Sequence, residues 1–168
     1  MAMFNHPGLL TVLATGVLTA CLAAISWIDF RTLRIPDVLS VPLIGLGLLW
    51  AALQPEPSLL HSLIGAIAGF GVLALIGELY FRRNGAEGLG LGDAKLFSAA
   101  GAWLGWQALP QVLLIAAVAG LVFALIRMRT VAAPKVQIAF GPWLALGFWV
   151  VWIWQATLRL APSAAWSP

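Results

Sequence analysis

Charged residues are scarce in this 168-residue chain, because lysine, arginine, aspartate and glutamate together make up only 9% of it. Soluble domains carry about 25% charged residues and about 45–50% apolar ones. Here 62% of the residues are hydrophobic and the mean hydropathy is +0.99. A core of this size does not need so much apolar surface, so we expect lipid to cover most of the exterior. The length suits one domain, residues 1–168.

Other scarce features exclude further classes of site. The single cysteine, Cys21, rules out a disulfide or a cysteine-based zinc site within one chain. A net charge of +3 is too small to indicate nucleic-acid binding by itself, and we expect no nucleic-acid partner. No lysine or arginine precedes the first apolar run, as a cleavable signal requires. We therefore predict that this run is retained as the first transmembrane helix.

Six apolar segments remain when the chain is divided at its charges and its Gly/Pro clusters. They predict an all-α, polytopic membrane protein with about six transmembrane helices, in which a spanning helix needs about 20 residues. The second and fourth segments are short, so either flanking residues extend them or they end below the membrane surface in a protein-lined cavity. The segments are 8–28, 38–53, 59–81, 94–106, 109–126 and 138–158.

Positive charge alternates between the connections. Three connections hold eight of the nine basic residues, and the other two hold none. The positive-inside rule makes the basic side cytoplasmic and places both termini outside, in a bacterial inner membrane. Arg159 is the only basic residue on the outer side. The eight others are Arg31, Arg34, Arg82, Arg83, Lys95, Arg127, Arg129 and Lys135.

Two aspartates occupy matching depths in this topology. Asp29 closes the first segment and Asp93 precedes the fourth, both at cytoplasmic ends. An acid at this depth is costly unless it is paired or hydrated, which makes a functional site the default hypothesis. Two carboxylates that converge can share one proton, so that one activates water while the other protonates a carbonyl oxygen. This is aspartic protease chemistry, and it needs no metal and no cofactor.

Structural interpretations of the acids remain open beside the functional one. Asp93 also fits a helix N-cap, and Asp29 also fits an ion pair with Arg31 or Arg34. Asp37 follows Pro36, which favours a cap at the start of the second segment.

Several residues near the two aspartates are candidates for supporting roles. Lys95 follows Asp93 by two residues and either holds a lipid phosphate or orients the site. Glycines at every second position before Asp93 permit a close backbone approach to a substrate. The supporting candidates are Asp37, Glu87, Gly90, Gly92 and Lys95.

Three segments resemble the type IV prepilin peptidase family, in the same order along the chain. The first aspartate motif is similar to IDFRTLRIPD, the G-x-G-D motif to EGLGLGDAKL, and the opening of the last span to AFGPWLAL. The stretch GAWLGWQALP is also similar, and the resemblance extends over about residues 20–158. A lone G-x-G-D is weak evidence, whereas three ordered motifs at the expected depths are specific. The segments are 28–37, 87–96, 139–146 and 101–110.

The resemblance implies a specific activity. Such enzymes remove the short basic leader from prepilins and pseudopilins at the cytoplasmic membrane face, and the products enter type IV pili or type II secretion pseudopili. The catalytic pair would be Asp29 and Asp93. Many members add a cysteine-rich zinc-binding region and methylate the new N-terminus with S-adenosylmethionine. This chain begins almost directly at the first helix and has one cysteine, so we do not expect methylation, as in the short members of the family.

Two rival functions stay open. One is a G-x-G-D intramembrane protease of the presenilin kind, whose Pro-Ala-Leu motif is matched here only by Pro142-Trp143-Leu144. The other is a non-enzymatic transporter or assembly factor that uses the two acids as a proton site. For the peptidase, we expect the hydrophobic prepilin helix to bind alongside the helix bundle, because no large acidic patch is present to bind a basic leader.

Overall fold

The computed structural model describes residues 7–85, 90–130 and 139–160, and over these residues the chain is helical without strands. Each predicted apolar segment matches one helix, so the all-α prediction is confirmed. One turn of 3-10 helix, Trp106–Ala108, joins the fourth helix to the fifth. The helices are α1 (Pro7–Thr32), α2 (Asp37–Leu53), α3 (Leu59–Asn84), α4 (Leu91–Leu104), α5 (Leu109–Thr130) and α6 (Gly141–Leu160).

Four stretches of this helical bundle are long and apolar enough to cross a membrane. They lie in α1, α3, α5 and α6, with the 3-10 turn included in the third. The protein is therefore a multi-pass membrane protein, while the count of six spans stays a prediction. α2 has 17 residues and α4 only 14. At 1.5 Å per residue α4 is about 21 Å long, which is shorter than the ~30 Å hydrocarbon core.

Large apolar side chains point outward from the long helices. Val12 on α1 is 60% exposed, Ile67 on α3 is 74% exposed and Leu114 on α5 is 65% exposed. In water such surfaces would be an aggregation hazard. Their spread over several helices fits an exterior covered by lipid, as the composition predicts.

The short helix α4 forms the centre of the bundle. It contacts α2, α3, α5 and α6, and it is buried continuously from Leu96 to Leu104. Two hydrogen bonds tie it to its neighbours: the Ser98 hydroxyl donates to the Ala66 carbonyl at 2.8 Å, and the Trp103 indole donates to the Leu43 carbonyl at 2.8 Å. Such bonds matter in a bundle because burial of an unpaired polar group is costly.

Glycines bring α3 and α4 into backbone contact. A Cβ atom built on Gly65 would lie 2.5 Å from the carbonyl oxygen of Gly101, and one built on Gly69 would lie 2.7 Å from that of Phe97. Gly65 and Gly69 therefore allow close contact between α3 and α4. Gly45 has nothing within 4 Å of its Cβ position, so it does not form such a contact.

We predict that Gly69→Ala lowers the free energy of unfolding by about 1–3 kcal/mol, because the new methyl group must push α4 away from α3. Gly71→Ala is the matched control on the same helix, since its Cβ position has nothing within 4 Å. Alanine there should leave stability within about 1 kcal/mol of the wild type or improve it. Thermal unfolding in one detergent, followed by circular dichroism, compares the two variants; equal unfolding temperatures would contradict the packing described here.

Candidate active site

Asp29 lies in the last complete turn of α1. Its carbonyl oxygen accepts the N–H of Leu33 at 2.9 Å, and Leu33 has a left-handed φ of 55°, a conformation that commonly terminates a helix. The Asp29 residue is only 4% exposed. The helix therefore ends within one turn of Asp29, whose carboxylate lies in the interior of the bundle.

The first residue of α6 provides the hydrogen-bond donor for Asp29. The Gly141 N–H donates to Asp29 Oδ2 at 3.1 Å. First-turn N–H groups have no acceptor inside their own helix, so the carboxylate satisfies one of them. A Cβ atom at position 141 would lie 2.6 Å from Oδ2, so the contact requires glycine.

The alternative ion pairs of Asp29 do not form. Arg31 stacks over the Trp27 ring, with 4.2 Å between the guanidinium carbon and the ring centroid. Among the described residues, the ion pairs are Arg82–Glu78 and Lys95–Asp37, and neither involves Asp29. Asp29 is therefore held by a backbone N–H rather than by Arg31 or Arg34.

Asp93 is the third residue of α4, and Gly90 is the N-cap. The Asp93 N–H donates to the Gly90 carbonyl at 3.1 Å, while the Gly90 N–H donates to the Asp93 carboxylate. The second of these contacts is the N3 half of a capping box, and the other half is absent because Gly90 has no side chain. Asp93 is therefore not the N-cap of α4, as the alternative interpretation had it, but its carboxylate does help to cap the helix.

The two carboxylates are close enough to repel each other. Asp93 lies outside the four membrane-crossing stretches. Its burial, and next the negative charge of Asp29, raise the pKa of Asp93 to about 6, while the Gly90 N–H acts in the opposite direction. Like charges at one site disfavour double ionisation, so the pair can hold a proton near neutral pH.

Ile35 packs between the first turn of α4, which carries Asp93, and the first turn of α6, where Gly141 donates to Asp29. A Cβ atom on Gly92 of α4 would lie 2.8 Å from Ile35 Cβ, and one on Gly141 of α6 would lie 2.9 Å from Ile35 Cδ1. Ile35, in the connection between α1 and α2, therefore fills the space between α4 and Gly141. Sequence reasoning did not assign roles to Ile35 or Gly141, although the Gly-Pro pair that opens α6 was a usable signal.

Asp37 and Lys95 form an ion pair of their own, with 2.6 Å between Oδ1 and Nζ. Pro36 is the N-cap of α2 and Asp37 is its first residue, so the prediction that Asp37 caps this helix is wrong. The pair instead links the start of α2 to α4. Lys95 follows Asp93 by two residues, and side chains at that spacing do not face each other on a helix.

The remaining predicted residues have different outcomes. Gly90 and Gly92 lie at the start of α4, as described above. Glu78 pairs with Arg82, one helical turn later on α3, at 2.7 Å. Glu87 and Gly88 lie outside the described residues. Within the described part of the chain, no three histidine, cysteine, aspartate or glutamate side chains are grouped to hold a metal.

An apolar groove runs between α1 and α6 beside Asp29. Its volume is about 340 Å³, and it ends at Phe30 and Pro142, next to the residues that join Asp29 to Gly141. Trp143 lies along it and contacts Phe30 edge-on, with 6.4 Å between the ring centroids. On α1 the groove is lined by Thr19, Leu22, Ala23, Ser26 and Phe30.

Residues 16–125 match the profile of the type IV leader peptidase family. The chain is also similar to proteins named prepilin leader peptidase/N-methyltransferase. It is 46% identical to that of Escherichia coli K12 over 73% of this chain and 55% of the relative, and 42% identical to that of Aeromonas salmonicida A449 over 92% and 53%. It is 45% identical to that of Burkholderia pseudomallei K96243 over 88% of this chain and 47% of the relative. The chain spans about half the length of these relatives, and no solved structure matches it.

The contacts of the two glycines before Asp93 predict unequal effects of substitution. Gly92→Ala should cost about 1–3 kcal/mol of stability, because its methyl group would overlap Ile35. Gly90→Ala should cost about 1 kcal/mol or less, since its nearest neighbours lie at ordinary contact distances of 3.8 and 3.9 Å. Thermal unfolding of the two variants in detergent measures the difference. A Gly90→Ala variant that is less stable than Gly92→Ala would contradict this geometry.

Proposed function

The chain belongs to the type IV leader peptidase family, and from this membership we propose that it is a membrane aspartic endopeptidase that removes the short basic leader from prepilins or pseudopilins. The catalytic residues would be Asp29 and Asp93. The reaction would take place at the cytoplasmic face of the inner membrane.

The convergence of Asp29 and Asp93 carries this proposal. The two acids are 64 positions apart in the sequence, yet the negative charge of Asp29 contributes to the raised pKa of Asp93. Each is also hydrogen-bonded by a glycine N–H at the start of a helix, Gly141 for Asp29 and Gly90 for Asp93. Preorganised donors of this kind hold two like-charged groups together without a metal.

In the proposed mechanism the pair holds one proton, placed on Asp93, whose pKa of about 6 permits it to be protonated near neutral pH. Asp29 takes a proton from a water molecule while Asp93 donates its proton to the oxygen of the scissile carbonyl. The water oxygen bonds to the carbonyl carbon and gives a tetrahedral intermediate. The carbon–nitrogen bond then breaks, the amine leaves with the proton held by Asp29, and Asp93 regains its proton from the intermediate's hydroxyl group.

The distribution of basic residues supports a cytoplasmic orientation for this site. Arg31 and Arg34 follow Asp29, Arg82 and Arg83 end α3, and Arg127 and Arg129 end α5. These helix ends face the same side of an alternating bundle, and the positive-inside rule assigns that side to the cytoplasm. A prepilin leader that remains cytoplasmic would then reach Asp29 and Asp93 directly.

The groove between α1 and α6 suggests how the substrate would bind. Its walls are mainly apolar and it ends beside Asp29. A hydrophobic prepilin helix lying in this groove would bring the leader junction to the two carboxylates. Such binding needs no acidic surface for the basic leader, which agrees with the small number of acids in the chain.

Replacing either acid tests the catalytic assignment. Asp29→Asn and Asp93→Asn should each reduce cleavage of a co-expressed prepilin by at least about 100-fold, because each removes one half of the acid–base pair. The size and the N-terminal sequence of the pilin measure the result.

Glu78→Gln is the control for loss of a carboxylate, since Glu78 pairs with Arg82 on the exposed part of α3. This variant should cleave like the wild type. Cleavage at the wild-type level by either aspartate variant would refute the assignment of Asp29 and Asp93 as the catalytic pair. Absence of cleavage by the wild type across several pilin classes would favour the transporter or assembly-factor alternative.

Filling the groove tests the substrate position. Ala23→Trp places a large ring in the groove and should raise KM for a prepilin several-fold with little effect on kcat, because the chemistry is untouched. Ala24→Trp is the matched control, since Ala24 is exposed on the adjacent position and does not line the groove. Equal kinetics for the two variants would show that the substrate helix binds elsewhere.

A further inference from the structure

A second and larger cavity lies at the opposite end of the bundle from Asp29. Its volume is about 990 Å³, and it is enclosed by the start of α1, the α2–α3 connection, the 3-10 turn and the end of α6. Thr11 lines it, and Asp29 lies 18 residues further along the same helix. That separation corresponds to about 27 Å, close to the ~30 Å thickness of the hydrocarbon core. With Asp29 at one membrane surface, this separation would place the cavity at the level of the lipid headgroups on the other.

This cavity is more polar than the groove beside Asp29. Its charged residues are Arg159 and Glu56, and His61 also contributes. Neutral hydrogen-bonding groups come from four glutamine side chains: Gln54, Gln107, Gln111 and Gln155. A cavity with one cation, one anion and several amides is suited to a ligand that carries both charges.

Arg159 is held in place but is not neutralised. Its guanidinium carbon lies 5.7 Å from the ring centroid of Trp50 and 5.5 Å from that of Trp152, and Nη2 donates to Gln155 at 3.3 Å. Nη1 is buried and has no hydrogen-bond partner among the described residues. A buried donor without an acceptor is costly, so this side chain retains unused binding capacity.

Glu56 provides a negative charge in the cavity without occupying Arg159 in an ion pair. It attracts Arg159 electrostatically, but the two do not form an ion pair among the described residues. Glu56 is exposed. A simple anion at Arg159 would be repelled by this carboxylate, whereas a phosphate that carries a nearby ammonium group would satisfy both residues.

We propose that this cavity binds the headgroup of a phosphatidylethanolamine-type lipid, with Arg159 contacting the phosphate and Glu56 contacting the ammonium group. The depth of the cavity favours a lipid over a soluble phosphate ester. Trp106, which is 47% exposed and adjacent to Gln107, lies where indole rings favour the membrane interface. The proposal concerns the end of the bundle remote from Asp29 and does not depend on the proteolytic activity.

Lipid binding to the full chain, purified in detergent, tests this proposal. Phosphatidylethanolamine and phosphatidylglycerol with identical acyl chains are titrated, and bound lipid is counted by native mass spectrometry. The wild type should prefer phosphatidylethanolamine. Arg159→Gln should weaken its binding about tenfold through loss of the charged contact to phosphate, whereas Arg159→Lys should retain part of the affinity. Glu56→Gln, on an exposed connection, should abolish the preference between the two lipids.

Arg82→Gln is the control for loss of one basic residue, because Arg82 is exposed on α3 and pairs with Glu78. It should bind both lipids like the wild type. Equal binding by Arg82→Gln and Arg159→Gln would overturn the proposal, as would a wild type with no headgroup preference, which is the result expected if water alone fills the cavity. Soluble phosphoethanolamine that binds while the lipid does not would identify a site for a free phosphate ester and would overturn the lipid assignment.

Discussion

A buried carboxylate must find hydrogen-bond donors, and in this bundle the donors come from the starts of two helices. Gly141 donates its N–H to Asp29, and Gly90 donates its N–H to Asp93. Side-chain cations are not used for this purpose, since Arg31 stacks on Trp27 and Lys95 pairs with Asp37. A cation beside the acids would favour ionisation of both, whereas neutral donors allow the pair to hold a proton. The protonation state of the two acids therefore depends on the position of α6 relative to α1.

That arrangement depends on close packing around the short central helix. α4 can reach the interior only because glycines on α3 admit its backbone, at Gly65 and Gly69. At the level of the acids, Gly92 and Gly141 leave room for Ile35 between α4 and α6. A side chain at either glycine would separate the elements that bring Asp29 and Asp93 together. The same property, absence of a Cβ atom, thus serves helix packing in one half of the bundle and the site in the other.

The sequence predicted the helices well and the contacts between them only in part. Apolar runs and charges locate all six helices, because in lipid every backbone polar group must be satisfied within a helix. Depth and charge pointed to Asp29 and Asp93. Asp37 and Lys95 lie 58 positions apart in the sequence, and no local pattern encodes such a pairing. Gly141 and Ile35 were missed for the same reason, since their roles arise from the approach of α6 and α4 to the α1–α2 connection.

α6 connects the two ends of the molecule. Gly141, the first residue of α6, contacts Asp29. Arg159, near the end of α6, lines the larger cavity. Their separation of 18 positions corresponds to about 27 Å along a helix, close to the thickness of the hydrocarbon core. If Arg159 is fixed at one membrane surface by a lipid headgroup, Gly141 is thereby fixed near the other surface. The depth of Asp29 would then be set by the bilayer through α6 as well as by α1, and the site would stay at the interface where water and a membrane-inserted substrate can both reach it.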